Sequence, residues 1–167
     1  MIKGGVTAGR YYVRASKLAG LREMGHERGV DLTQLMTRLG LDPGALSRPE
    51  MLLDYRAFCA LLHGCAIEWD IPDIGVRLAR RQAIDFLGPV SLVTRVEGTL
   101  GSALRAVIGN LVLYTNATVL ALEEQGDTAT FVLNRLSGAP DSRENTELVT
   151  AQGKLGQGAT DLNANLR

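Results

Sequence analysis

Apolar side chains recur at steps of three and four along most of this chain, and at steps of two only beyond Thr115. The first spacing lays one face of a helix on a core; the second is that of a half-buried strand. From Ser16, read as an N-cap, "SKLAGLREMGHERG" puts Leu18, Leu21 and Met24 near one helical face, with Gly29 as the stop. "DLTQLMTRLGLDPGALSR" then predicts a short helix through Leu32, Leu35, Met36 and Leu39 and a turn at Gly40. A second short helix follows, capped by Asp42 and opened by Pro43. Pro49 prevents a long continuation. The clearest helix is "DYRAFCALLHGCAIEWD": Asp54 is the cap, and Tyr55, Phe58, Cys59, Leu62, Cys65, Ala66 and Trp69 form the stripe.

Pro72 opens a further short helix, "PDIGVRLARRQ", and an apolar segment, "VSLVTRV", follows "AIDFLGP". "GTLGSALRAVIGNLVLY" carries Leu100, Leu104, Val107, Ile108 and Leu111 on one stripe, with Thr99 as cap. "TNATVLALEE" and "DTATFVLNRL", joined by Gln-Gly, read as an antiparallel hairpin with Thr118, Leu120 and Leu122 facing Phe131 and Leu133. Two strands alone are marginal, so the hairpin must pack on helices or join further strands. "SGAPDSREN" reads as a loop. The tail repeats Leu148, Ala151, Leu155, Ala159, Leu162 and Leu166 at helical steps. Gly153, Gly156 and Gly158 weaken it, each by about 1 kcal/mol, so it needs a supporting surface. The expected fold is therefore α+β: a mainly helical single domain over residues 14–167, with one hairpin after residue 115. Residues 1–13 form a loose start.

Charge narrows the partners. Lys plus Arg equals Asp plus Glu at 18 each, for a net charge of zero. A domain that grips phosphates usually carries a basic excess. The helix pair of residues 31–48 is spaced like a helix-turn-helix, yet its second helix spans two turns at most. Arg48 is its only long donor, and its charges cancel. It reads as a structural pair. No signal-peptide run or span of roughly 20 apolar residues is visible, so a cytoplasmic protein without a membrane partner is expected. Cys59 and Cys65, inside one apolar pattern, read as reduced core residues.

Reactive constellations are scarce. His63 stands four residues after Cys59, which suits two ligands on one helix face, but His26 is the only other histidine. The preferred reading is a half-buried histidine beside a core cysteine. Neither a nucleophile elbow nor a P-loop nor a dinucleotide fingerprint occurs. The expectation is no metal, no cofactor and no enzymatic activity. Aromatic residues are only 5% of the chain, and Trp69, Phe86 and Tyr114 fall at helix ends or junctions, where pockets form. Arg77, Arg80 and Arg81 crowd one short helix, which is either a solvated face or an anion contact. Trp69, Arg81, Phe86 and Tyr114 are the candidate ligand contacts; ordinary packing is the alternative for each aromatic.

Taken in order, "GLDPGALSRPEMLLDYRAF", "PDIGVRLARR", "DFLGPVSLV" and "TLGSALRAV" resemble the N-terminal effector domain of AraC-type bacterial transcription regulators, in their arabinose-binding-like branch. The resemblance covers about residues 20–136. It implies a domain that senses an unidentified small molecule and supports homodimerisation. DNA contact would fall to a C-terminal module with two helix-turn-helix units, which this chain is expected to lack. The tail after Leu148 departs from the long apolar helix the resemblance implies. A ligand-independent interaction module is the alternative.

Overall fold

The computed structural model describes residues 11–82, 99–125 and 128–158. Strand β1 (Tyr12–Arg14) pairs antiparallel with β2 (Leu52–Asp54), Val13 opposite Leu53. Between them lie a 3-10 turn at Ala15–Leu18, helix α1 (Leu21–His26), helix α2 (Leu32–Arg38) and a 3-10 turn at Pro43–Ser47. Helix α3 (Tyr55–Glu68) follows β2 directly, and α4 (Ile74–Arg81) follows α3. Helix α5 (Leu100–Asn110) runs through a 3-10 turn, Leu111–Leu113, into the hairpin β3 (Thr118–Gln125) and β4 (Thr128–Arg135). Helix α6 (Arg143–Gly158) ends the described chain. The fold is a mainly helical α+β domain with two small antiparallel sheets.

Caps set the helix boundaries where short polar side chains meet free N–H groups. Asp54 accepts from Ala57 N at 2.9 Å, and Asp42 from Gly44 N at 2.7 Å. Thr99 and Ser102 form a reciprocal capping box. At the far end of α3, the Ile71 and Asp70 N–H groups bond back to Ala66 and Ile67, an arrangement that needs a left-handed residue. Here that residue is Asp70, with φ of 52°.

Helix α3 is the central element: Phe58, Leu61, Leu62 and Cys65 are fully buried in one cluster with Leu21, Met36, Ile74, Leu78 and Leu148. Helix α6 finds its supporting surface on α4. A Cβ at Gly75 would sit 2.1 Å from the Glu144 carbonyl oxygen and 2.9 Å from Leu148 N, so the two backbones meet where only glycine fits. That close contact, with Leu148 fully buried, offsets the low helix propensity of the glycine-bearing tail.

Three expectations need correction. The loose start does not reach residue 13: Tyr11 and Val13 are buried, because pairing with β2 satisfies the backbone and the apolar side chains join the core. Ser16 caps nothing, since it lies inside the 3-10 turn, and Gly20 (φ 85°) separates that turn from α1. The loop after β4 ends at Ser142, where α6 begins. The apolar segment "VSLVTRV" lies outside the described residues.

Candidate functional site

Of the four ligand contacts expected from the sequence, three are described, and Arg81 lines a basin whose lining does not include Trp69 or Tyr114. Arg81, at the exposed end of α4, places both terminal guanidinium nitrogens on Glu27, at 2.8 and 2.6 Å. With Arg28, Arg77, Arg80 and Glu27 it lines an open basin of about 310 Å³ over Met24 and Ile71. Trp69 ends α3 and is buried, its ring edge against Gly25. Its carbonyl accepts from Arg28, while its indole N–H meets no acceptor among the described residues. Tyr114, also buried, lies beyond the basin's lining, and Phe86 falls outside the described residues.

Tyr114 instead leads to a group the sequence reading missed. Lys17 is 3% exposed. Its ammonium nitrogen lies 5.7 Å from the Phe58 ring centre and 5.8 Å from that of Tyr114. The turn that carries it is pinned from two sides: Ala15 N and Ser16 N bond to Met51 and Pro49, and the Gln82 amide donates to the Lys17 carbonyl at 2.9 Å. Burial pulls the Lys17 amine down to about 8, against a small opposing effect of the neighbouring Cys59. Among the described residues, no carboxylate or carbonyl hydrogen-bonds this ammonium. The only signal available beforehand was scarcity: Lys17 is one of three lysines in the chain.

A polar network joins α3 to the start of α6. Asn145 donates to the Tyr55 hydroxyl at 2.7 Å, and His63 Nδ1 lies 3.0 Å from Glu144. Burial opposes the Glu144 charge, yet hydrogen bonds from His63, its own N–H and Ser142 hold its carboxyl below the usual range. His63 is exposed rather than half-buried, its ring turned to Glu144. Burial raises the thiol of Cys59 and pushes that of Cys65 up to about 12, so both are protonated core groups. No cluster of three or more His, Cys, Asp or Glu side chains suited to a metal occurs among the described residues. No helix among them is long and apolar enough to cross a membrane.

The stretch 31–48 gives α2 and a single 3-10 turn, and Arg48 folds back onto Asp42 and the Gly44 carbonyl. No recognition helix forms there.

The described residues thus form a mainly helical α+β domain with a buried lysine beside two aromatic rings. Among known families, the profile described as "Arabinose-binding domain of AraC transcription regulator, N-term" matches residues 29–153. The chain belongs to that family. It is 32% identical over 117 residues to the HTH-type transcriptional regulator VirS of Mycobacterium tuberculosis, in both strain CDC 1551 / Oshkosh and strain H37Rv. That match takes in 70% of this chain and 34% of each VirS protein, so the chain spans about a third of the relatives it matches.

Proposed function

We propose that this chain is the effector-sensing part of an AraC-type transcription regulator, acting on DNA only through a separate helix-turn-helix module. The observation that carries this reading is the family match over residues 29–153, which takes in the helical core and the hairpin. A small-molecule effector binds one arrangement of core and hairpin better than another, and the difference in affinity biases the attached module. The domain performs no chemistry on its effector and needs no cofactor. Its setting is the bacterial cytoplasm. Trp69, with an indole N–H lacking an acceptor among the described residues, and Tyr114, beside Lys17, are the aromatic contacts to test first. Arg81 and Phe86 stay in the proposed contact set.

A second reading has its own support. Val112, Leu113 and Val119 are 59%, 46% and 46% exposed near the start of the hairpin, an apolar edge suited to a second copy of the chain. In that reading the domain dimerises and takes no ligand. Thermal unfolding against a panel of metabolites, with sizing of the same samples, separates the two. Saturable stabilisation by one compound class is expected for a sensor. A constant dimer that no compound stabilises contradicts the sensing reading.

A further inference from the structure

We propose that Lys17 anchors the effector, and that the effector is an apolar compound bearing a single carboxylate. The inference rests on the sensing reading above and goes beyond it in naming the anchor and the ligand class.

A buried charge is normally paired, because the interior cannot replace the water it has lost. Lys17 breaks that pattern. Its side chain is buried, and among the described residues the ammonium has two aromatic faces and no hydrogen-bonded oxygen. Such faces attract a cation weakly and do not neutralise it. Cys59 acts electrostatically on the ammonium, yet its thiol stays protonated because burial raises it. Glu144, the buried carboxylate on this side of α3, is already held by His63 and Ser142. What this position lacks, among the described residues, is one negative charge.

That deficit defines the ligand. A monocarboxylate balances the single ammonium; a phosphate monoester would bring close to two charges and leave one uncompensated. The rings of Phe58 and Tyr114 flank the ammonium, so the rest of the ligand meets apolar surface. The position also suits signalling. Lys17 rides on the turn after β1, Phe58 belongs to α3, and Tyr114 ends the turn that leads into the hairpin. Thr115, the next residue, bridges back to Val13 of β1. With 3% of Lys17 exposed, a carboxylate reaches it only through a local opening, so binding favours an arrangement distinct from the closed one.

The experiment is calorimetric titration of the 167-residue chain at pH 7 with octanoate, benzoate and phenylacetate, each beside its primary amide. The same titrations are run on Lys17→Met, and a panel of neutral and cationic metabolites is screened by thermal shift. At least one carboxylate is expected to bind about tenfold or more tightly than its amide, and Lys17→Met to lose that preference. In the unmodified chain, the Lys17 ε-carbon resonance should move with the carboxylate and stay still with the amide. This readout holds even if the variant folds poorly. Equal binding of carboxylate and amide, or full carboxylate binding by folded Lys17→Met, overturns the anchor. If neutral compounds bind parent and variant alike while carboxylates do not bind, the anchor is wrong and sensing stands. If no compound of any class binds, both readings fall.

Discussion

Positive charge occurs in two contrasting settings in this domain. On the outer faces of α1 and α4, Arg28, Arg77, Arg80 and Arg81 surround an open basin, in contact with water. Arg81 is matched by Glu27, Arg77 by Asp73 at 2.8 Å, and Arg28 by the Trp69 carbonyl. Beneath α3, a single lysine is shut between two rings with no matching oxygen among the described residues. The basin holds more charge, yet charges in water are inexpensive, and their ion pairs contribute little to stability. The lone lysine is costly to keep, and that cost marks the more informative position. Density of charge is thus a poorer guide to a site than the environment of one charge.

The comparison can be broken most severely at the wall of the lysine chamber. Phe58 is fully buried, so Phe58→Ala should cost about 3–5 kcal/mol in urea unfolding. A loss below about 1 kcal/mol would mean that the wall is not packed as described.

Next in size is Lys17→Met, which should stabilise the unliganded chain by about 1–3 kcal/mol at pH 7, because it removes the uncompensated charge and keeps the volume. The margin should depend on pH. With the amine at about 8 in the fold and 10.5 ordinarily, both states hold the proton below pH 8, and the burial penalty is complete. From pH 8 to 10.5 the unfolded chain binds more protons, so the lysine's penalty lifts as pH rises. The buried thiols of Cys59 and Cys65 work the other way above about pH 9, since unfolding releases protons that the fold retains. The readout is therefore the difference between parent and Lys17→Met, which should narrow from pH 7 to pH 10, the reverse of the trend for a lysine with a partner. A constant margin would indicate that Lys17 is not a buried ammonium.

Smaller effects belong to the basin. Arg81→Ala should move the thermal midpoint by no more than about 2 °C, and less in high salt, since its pair with Glu27 is exposed. Arg77→Ala, which removes an i,i+4 pair with Asp73, should stay within about 1 °C. A shift of several degrees from either would place the basin, rather than the lysine, among the structurally important charges.

The sequence carried the helices whose caps are local. Asp42, Asp54 and Thr99 cap where a short polar residue precedes an apolar stripe, and the two β-rich runs pair from Thr118 opposite Arg135 to Gln125 opposite Thr128. Features set by distant contacts were not legible. Strands β1 and β2 are three residues each, too short to show alternation. The stability of α6 depends on Gly75, far away in the chain, and Asp70 occupies a left-handed position usually held by glycine. The candidate site was read from aromatic placement and arginine density. That reading named Tyr114, which lies beside Lys17, but passed over Lys17 itself, because little in the local sequence distinguishes a buried lysine from the exposed ones that dominate.

The charge state of Lys17 is measured directly by a carbon-13 NMR titration of its ε-carbon, free and with saturating octanoate. The free amine should titrate near 8, and bound carboxylate should raise it by about one unit or more. An amine that titrates at the ordinary 10.5 when free, or that octanoate leaves unmoved, would contradict the account.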